Sequence, residues 1–421
     1  METQFVTPNE GGNPLRAEPA WPPVVVGGAF QTGLNLMRDL LRRGVRTVAV
    51  DYDLTHQGFR SVYGKTRQCP NPDSDAPRWI EFMKRLSDEL GQKPVFIPAA
   101  DVFVMALGRC GPDLAEHYLN SPDAARLQAD LCSKETQYAL CAKHGYPCPR
   151  LAYIQTRKDL NMFSAEARFP CLIKPRSPRE WISLPAGNPA RGKKIVIAQT
   201  AEELARVYDE VAPYRSEVIA QEVIAGLGNQ KRVYLSAFGA GGRLLGHCLV
   251  KEVRPHPAFA DMAAVVQPVE DERLTELCGN FLQKLGYRGI CEFEFKLDER
   301  DGEPRLIEIN PRFSGTGDCA SYMGIETGWL HYLDLIGYPV MPIKPARFDF
   351  YHIYLRLEAT DTPPYVLNGS ISWKDFVAPY RGRKAYFDFD WNDRRLALTT
   401  LRLSARYVAG ALWRHVRGHS V

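Results

Sequence analysis

Residues 291–313 read CEFEFKLDERDGEPRLIEINPRF, and two short runs within them alternate polar or charged side chains with apolar ones. Alternation with a period of two is typical of a β-strand whose two faces meet different surroundings. Between the runs, Arg300-Asp301-Gly302 suits a three-residue hairpin loop with glycine in the left-handed conformation. The segment therefore predicts a β-hairpin, whose pairing decides which acidic side chains meet.

The register of this hairpin sets the face that carries the acids. If the loop is Arg300–Gly302, Glu294 lies opposite Glu308 and Glu292 lies opposite Asn310, so that three carboxylates and one carboxamide share a face. A two-residue Asp-Gly turn would shift the pairing by one residue and separate Glu294 from Glu308. In the first register the carboxylates repel one another unless a cation lies among them, and hard oxygen ligands favour Mg²⁺. The alternative is a hairpin edge with solvated acids.

The whole sequence limits the class of protein. A chain of 421 residues is too long for one simple core and predicts roughly two to four domains. Its composition, 45% apolar and 24% charged, is ordinary for a globular enzyme, and a net charge of +4 is too small to indicate a nucleic-acid partner. The sequence has no apolar run of about 18 residues and no signal-peptide core, and its ten cysteines show no CxxC or metal-ligand spacing. These features predict a cytoplasmic protein with reduced thiols.

The N-terminal part is typical of a Rossmann-like domain. Residues 1–22 are rich in proline and glycine without periodicity and predict a disordered tail. The apolar strand Val24–Val26, a glycine turn, a helix over Thr32–Arg43 and a second apolar strand ending at Asp51 follow in the order of a nucleotide-binding half. The glycines read GGAFQTG and not GxGxxG, which favours a structural turn over a dinucleotide site.

Two lysines precede the acidic hairpin. Lys134 stands in the first turn of a predicted helix, where a cation is unfavourable against the helix dipole. Lys174 ends the apolar strand FPCLIK. Each of them taken alone is more often a surface lysine, but their occurrence ahead of an acidic hairpin favours a functional role.

The sequence motif of the hairpin is specific to one protein family. The pattern EFKxD…GxxxLIEINPR resembles the metal-binding end of the ATP-grasp superfamily. Over about residues 24–340 the chain is similar to the predicted carboxylate–amine ligases, a group that includes D-aspartate ligase-like enzymes. The resemblance implies an α/β chain with a Rossmann-like pre-ATP-grasp domain, an α+β ATP-grasp domain and a small C-terminal α+β module. The implied ranges are 23–115, 116–340 with a lid subdomain at about 150–225, and 341–421.

The resemblance also implies residues that bind ATP and Mg²⁺ or Mn²⁺. Glu294, Glu308 and Asn310 would hold the metal ions that bridge the ATP phosphates, and Arg312 would face the γ-phosphate or an acyl phosphate. Further contacts would come from outside the hairpin. They are phosphate contacts for Lys134, Lys174 and Lys193, adenine contacts for Gln221, Glu222 and Ile224, a ribose contact for Asn229 or Gln230, and a contact to the acyl group for Arg254.

Two segments depart from the family pattern. Residues 175–194 are longer and richer in proline than the short Gly/Ser loop that closes over the phosphates in the family. We expect a mobile basic lid here, with an ordinary exposed loop as the alternative. The acid that usually holds the ribose is replaced by the sequence GLGNQ at residues 226–230.

The C-terminal segment ends in an amphipathic helix. Over residues 394–416 six apolar side chains share one face, and arginines occupy much of the other. A basic amphipathic helix can lie on an anionic membrane, whereas the commoner arrangement packs the apolar face on the protein's own domain. The apolar face consists of Leu398, Leu401, Ala405, Val408, Leu412 and Val416.

The resemblance implies an ATP-dependent carboxylate–amine ligase. A substrate carboxylate would attack the γ-phosphate of ATP to give an acyl phosphate and ADP, and an amine would then displace phosphate to form an amide. The expected partners are a small carboxylic acid and an amino-acid-like amine, with a homodimer left open. The alternatives are an ATP-binding sensor or pseudoenzyme of the same fold and an ATP-grasp carboxylase, which the absence of a biotin-carrier Met-Lys segment disfavours. The incomplete glycine pattern disfavours an NAD-dependent oxidoreductase.

Overall fold

The chain folds into two compact units. The computed structural model describes residues 15–18, 20–176, 178–215, 217–226, 231–254, 263–367 and 369–416. The larger unit comprises the described parts of Met1–Gln137, Gly228–Glu294 and Glu308–Val421, and the smaller unit those of Tyr138–Leu227 and Phe295–Ile307. The predicted boundaries near 115 and 340 lie inside the larger unit, whereas the predicted lid range 150–225 lies in the smaller one.

The larger unit begins with a four-stranded parallel sheet in the order β3-β2-β1-β4. Parallel strands are connected through helices, which cover both faces of the sheet, so the central strand β1 is apolar throughout and fully buried. This arrangement confirms the predicted Rossmann-like α/β architecture. The elements of this part are β1 (Val24–Gly27), α1 (Gln31–Arg42), β2 (Thr47–Asp51), β3 (Lys65–Gln68), α2 (Ala76–Leu90), β4 (Val95–Pro98), α3 (Asp101–Leu114), α4 (Pro122–Leu131) and α5 (Lys134–His144), of which α5 continues into the smaller unit.

The acid at the end of β2 holds the glycine turn. Asp51 is 1% exposed, and its Oδ2 accepts a 2.6 Å hydrogen bond from the Ala29 N–H. The same oxygen lies 2.7 Å from Nδ1 of His56. A Cβ on Gly33 would lie 1.9 Å from the Gly28 carbonyl oxygen, so close packing of the backbone requires glycine there. These contacts support the structural turn over a dinucleotide site.

Part of the predicted N-terminal tail is packed on the larger unit. The Ala17 N–H donates a 2.7 Å hydrogen bond to the Arg43 carbonyl, and the Trp21 ring stacks on Trp329 with 6.1 Å between centroids. The prediction of disorder is therefore wrong for residues 15–18 and 20–22, because Leu15, Ala17 and Trp21 provide apolar contacts among the prolines. Residues 1–14 and 19 lie outside the described chain.

A seven-stranded, mostly antiparallel sheet carries the predicted hairpin in the order β13-β12-β9-β10-β11-β14-β15. The last two strands come from the predicted C-terminal module and join the edge of this sheet. The ordered elements after the smaller sheet are β9 (Lys231–Gly239), β10 (Arg243–Arg254), β11 (Val265–Val269), α8 (Glu272–Lys284), β12 (Gly289–Leu297), β13 (Pro304–Asn310), α9 (Gly317–Tyr322), α10 (Thr327–Leu335), β14 (Tyr351–Ile353), α11 (Leu355–Asp361), α12 (Pro363–Leu367), α13 (Trp373–Arg381), β15 (Lys384–Tyr386) and α14 (Arg394–Val416).

The smaller unit contains an antiparallel sheet in the order β5-β8-β6-β7. Its strands and helices are β5 (Leu151–Ile154), α6 (Arg157–Glu166), β6 (Cys171–Pro175), β7 (Val196–Ala198), α7 (Ala201–Val211) and β8 (Val218–Glu222). The predicted lid segment is anchored in the core of this unit, because Trp181, Leu184 and Ala190 are buried there. Residues 191–194, at the end of the segment, are exposed.

The sequence FDFDWND at residues 387–393 joins the C-terminal part to the rest of the larger unit. The Phe387 carbonyl accepts hydrogen bonds from Gln31 and Asn35 of α1, at 3.1 and 2.9 Å. Asp388 accepts the Leu355 and Arg356 N–H groups at the start of α11, at 2.9 and 3.0 Å. Asp390 and Asp393 accept from Tyr63 and Ser61 respectively. The motif therefore has a structural role, which the sequence pattern did not predict.

Among the described residues, no helix is both long enough and apolar enough to cross a membrane. None of the ten cysteines, all of which lie among the described residues, forms a disulfide, and most are buried. Burial raises the pKa of the Cys69, Cys132 and Cys171 thiols to about 12, so these side chains act as small apolar groups.

The buried carboxylate of Asp393 provides a test of this architecture. It is 0% exposed, and it accepts the Ser61 hydroxyl, the Val62 N–H and the Leu396 N–H at 2.5, 3.3 and 3.3 Å. Asp393→Asn would place an amide donor against these donors and lower the free energy of unfolding by about 2–4 kcal/mol. Urea denaturation measures this change. Asp88→Asn, at a carboxylate 73% exposed, is the control, and equal effects of the two substitutions would contradict the assignment.

Candidate active site

The predicted hairpin forms, with a loop one residue longer than expected. β12 and β13 are neighbours, and the turn is closed by the Asp298 N–H to the Glu303 carbonyl at 2.9 Å and by the Gly302 N–H to the Asp298 carbonyl at 2.7 Å. Gly302 has a φ of 71°, the left-handed conformation predicted for it. The three-residue loop is wrong because Asp298 binds the Arg300 backbone and guanidinium and so belongs to the turn.

Two members of the predicted acidic face meet in the structure. Asn310 Nδ2 donates a 3.0 Å hydrogen bond to Glu292 Oε1, so these two side chains share a face as predicted. The other carboxylate oxygen of Glu292 accepts the Ser314 hydroxyl at 2.5 Å. Glu292 is 4% exposed, and burial together with the nearby Glu294 carboxylate raises its pKa to about 7. The turn after β13 therefore supports the acidic face as well.

A buried lysine that the sequence analysis missed neutralises Glu294. Lys231 Nζ lies 2.5 Å from Glu294 Oε2 and 3.0 Å from Glu252 Oε1. Burial opposes the charge on Lys231, but the two carboxylates outweigh it and raise the pKa of the ammonium group. Burial also raises the pKa of Glu252. Lys231 begins β9 and Glu252 lies on β10, so the strand order of the sheet assembles this trio.

Glu308 is paired with a different lysine. Lys134 Nζ lies 3.2 Å from Glu308 Oε1, and the two side chains are 41% and 30% exposed. Burial raises the pKa of Glu308, which Lys134 partly offsets and Glu294 increases. Lys134 and Glu308, which were predicted for different roles in the site, are thus brought together. It is more open to solvent than the pair formed by Lys231 and Glu294.

Arg312 completes the cluster at the end of β13. Its guanidinium binds the carboxylate of Asp101, which stands in the first turn of α3, and donates a 3.3 Å hydrogen bond to Asn310 Oδ1. Asp101 was not among the predicted site residues. The sequence did contain a signal for Asp101, which is an acidic residue in the first turn of the helix that follows the parallel strand β4.

Arg254 is held apart from these acids. Its Nε lies 3.2 Å from Glu358, and both guanidinium NH groups donate to the Phe376 carbonyl at 3.1 Å. The side chain is 7% exposed and lies over the Phe376 ring. Among the described residues it makes no hydrogen bond or ion pair with the acidic cluster. The contact with an acyl group that was predicted for Arg254 therefore stays a prediction.

The smaller unit positions the predicted nucleotide residues on β6 and β8. Lys174 Nζ donates a 2.8 Å hydrogen bond to Gln221 Oε1, so these two predicted residues meet. Glu222 accepts the Arg168 N–H at 2.7 Å, and the Ile224 carbonyl accepts Lys296 Nζ at 2.9 Å.

The structure describes no contact with this set for the other residues that were predicted to bind the nucleotide. Lys193 lies in the exposed turn at residues 191–194 and adds no described contact to this set. Asn229 and Gln230 lie outside the described residues. The ribose contact predicted for them therefore stays a prediction.

The cluster of the larger unit has the donors that Mg²⁺ prefers. Five acids lie with three cationic side chains, and this formal excess of two negative charges is what one divalent cation would neutralise. Among the described residues no three His, Cys, Asp or Glu side chains are arranged to hold a metal. In this structure Glu294 and Glu308 are paired with lysines instead. The residues are Asp101, Glu252, Glu292, Glu294, Glu308, Lys134, Lys231 and Arg312.

Comparison with known proteins identifies relatives of the chain. Residues 261–327 match the family "Carbamoyl-phosphate synthase L chain, ATP binding domain". The chain is 29% identical over 258 residues to a D-aspartate ligase of Enterococcus faecium, a match that covers 58% of this chain and 59% of that ligase. The chain thus spans about three fifths of the length of this relative.

Solved structures share the fold. The biotin carboxylase domain of a Hydrogenobacter thermophilus 2-oxoglutarate carboxylase, solved as a dimer with MgADP and bicarbonate, has a TM-score of 0.57 at 16% identity and covers 78% of this chain and 73% of its own. An L-amino acid ligase from Bacillus licheniformis has a TM-score of 0.53 at 14% identity, with 75% and 74% covered. In sequence and in fold the chain is therefore similar to ATP-grasp ligases and carboxylases.

Proposed function

We propose that this protein is an ATP-dependent carboxylate–amine ligase that forms an amide through an acyl phosphate. The observation that carries the proposal is the cluster of Glu294, Glu308, Asn310 and Arg312, in which acids suited to Mg²⁺ lie beside a cation suited to a phosphate. The similarity to a D-aspartate ligase and to an L-amino acid ligase supports an amino-acid-like substrate.

The reaction has two balanced steps. A carboxylate oxygen of the acid substrate bonds to the γ-phosphorus of ATP, and the bond to the β,γ-bridging oxygen breaks to release ADP. The amine nitrogen then bonds to the acyl carbon, phosphate leaves with the C–O bond pair, and the amine loses a proton. No covalent bond to the protein is formed, so the protein acts by alignment and charge neutralisation.

The larger unit would supply the charge neutralisation. Mg²⁺, held by Glu294, Glu308 and Asn310, would polarise the phosphate oxygens. For Glu308 to bind the ion, Lys134 must leave the carboxylate, and its exposure makes this movement cheap. The ammonium group released in this way is then available to a phosphate. Arg312 would place its guanidinium against the transferred phosphate, with Asp101 holding the group in position.

The smaller unit would contact the nucleotide. We assign a phosphate contact to Lys174, which Gln221 orients, and the adenine contacts to the segment from Gln221 to Ile224. The Lys296 ammonium on the Ile224 carbonyl holds this segment in place. The basic turn that carries Lys193 is a second candidate for a phosphate contact.

Three further expectations stay predictions. They are Mn²⁺ as a substitute for Mg²⁺, a cytoplasmic location and a homodimer. A structural neighbour solved as a dimer supports the last of these, and sedimentation velocity tests it.

The metal ligands give the first prediction of this subsection. Glu308→Gln removes a charged oxygen ligand, so we expect the Mn²⁺ dissociation constant, measured by electron paramagnetic resonance with a non-hydrolysable ATP analogue, to rise by about tenfold or more, which is roughly 1.4 kcal/mol. ADP formation should be lost with circular dichroism unchanged. Glu276→Gln, at an exposed acid of α8, is the matched control. Unchanged Mn²⁺ affinity in Glu308→Gln would remove this residue from the site.

The nucleotide contact of the smaller unit gives the second. Lys174→Ala removes a cation from the phosphates, and we expect the ATP dissociation constant to rise by about tenfold or more. Isothermal titration calorimetry measures it. Lys158→Ala, at an exposed lysine on α6 of the same unit, should leave it unchanged. Equal affinities in the two variants would make Lys174 a surface lysine.

Trapping the intermediate separates a ligase from a sensor or a carboxylase. With hydroxylamine present, a ligase converts its acid substrate into a hydroxamate, and D-aspartate and other amino acids are the first acids to assay. ADP release should depend on one carboxylic acid and rise when an amine is added. If no carboxylic acid stimulates ADP release although ATP binds, the sensor is favoured. Stimulation by bicarbonate alone would favour the carboxylase.

Arg312→Ala tests the residue assigned to the transferred phosphate. We expect it to lower the rate of hydroxamate formation more than it weakens ATP binding, because the contact strengthens as charge develops in the transition state. The matched control is Arg109→Ala, which breaks an exposed ion pair with Asp73 at 2.9 Å on the same unit. A rate equal to that of the control would contradict the role of Arg312.

A further inference from the structure

The C-terminal helix α14 has an unusual charge and an unusual inner face. Over Arg394–Val416 the sequence contains five arginines and no aspartate or glutamate. The fully buried side chains of α14 are small and are those of Ala397, Ser404 and Ala411. They let α14 pack closely on α11 and α12. The helix is thus fixed to the larger unit by its small residues.

Four large apolar side chains of α14 are exposed. Leu398, Leu401 and Leu412 are 49%, 37% and 48% exposed, and Trp413 is 54% exposed. The predicted apolar face is therefore largely the exposed one, which contradicts the commoner arrangement in which it packs inward. Burying large side chains gains more than burying alanine, so their exposure in a row marks an interaction surface.

The arginines border this apolar strip. At about 100° per residue, Leu398, Leu401, Ala405 and Leu412 fall within an arc of roughly 60°. Arg402 and Arg406 follow on one flank, and both are exposed. This outer face of α14 combines a leucine strip with a row of fixed positive charges.

We propose that the outer face of α14 lies on the surface of an anionic lipid bilayer. The leucines would enter the boundary between headgroups and acyl chains, and the arginines would bind the anionic headgroups. The charge of the face favours a bilayer over a second copy of the chain, because two such faces in contact would bring their arginines together and like charges repel. The inference does not depend on the ligase activity, since the face is remote in sequence from every residue assigned to that chemistry.

Vesicle flotation of the purified full-length protein tests the proposal. We expect binding to vesicles of phosphatidylcholine with phosphatidylglycerol, little binding to phosphatidylcholine alone, and weaker binding at high salt. Two double variants probe the face: Leu398→Ser with Leu412→Ser, and Arg402→Glu with Arg406→Glu. Each should lower the partition coefficient by about tenfold or more. The arginine variant loses the attraction to the anionic headgroups, and the leucine variant loses the insertion of apolar side chains.

Matched controls distinguish the face from general effects. Arg78→Glu with Arg85→Glu reverses the same number of charges on the exposed side of α2 and should keep binding within about twofold. Circular dichroism melts establish that the variants fold. Absence of wild-type binding, equal binding to neutral vesicles, or equal losses in the α2 control overturns the proposal. Self-association in sedimentation that the leucine variant abolishes, without vesicle binding, also overturns it and assigns the face to a second copy.

Discussion

Two carboxylates buried on β12 and the half-buried Glu308 of β13 require positive charge, and the rest of the candidate site is arranged to provide it. An unpaired buried carboxylate costs several kcal/mol, so the cluster is stable only with cations beside it. Lys231 and Lys134 supply them from β9 and α5, and Arg312 supplies the third. The raised pKa values of Glu252, Glu292 and Glu308 show that these cations do not fully compensate burial. A divalent cation bound at this cluster, as proposed, would offset the remaining negative charge.

The sequence predicted those parts of the site that lie on one hairpin. Alternation and the Glu-Glu-Asn spacing located the acidic face, since side-chain direction along a strand has a period of two. The loop length was wrong because Asp298 uses its side chain in the turn. Lys231 and Glu252 could not be found in the same way. They reach Glu294 because β9 and β10 follow β12 in the sheet, and strand order is a property of the fold and not of local spacing.

The C-terminal part shows the same limit. The period of α14 grouped its leucines correctly but could not say which face points inward. That is decided by the contacts of residues 387–393, where Asp393 binds the Ser61 hydroxyl and also the N–H of Leu396 in the first turn of α14. The structural role of this aromatic and acidic segment could not be predicted from the sequence, because its hydrogen-bond partners come from α1 and from the start of α11.

The ion pairs of Lys231 have a consequence for chemical selectivity. An acyl phosphate is an acylating agent, and any neutral primary amine nearby would compete with the intended amine substrate. Glu294 and Glu252 keep Lys231 protonated by raising its pKa, and an ammonium group has no lone pair with which to attack. The same contacts that neutralise the acids would therefore protect the protein from acylating its own side chain. Under the proposed mechanism, the ammonium group of Lys231 would not compete with the amine substrate for the acyl phosphate.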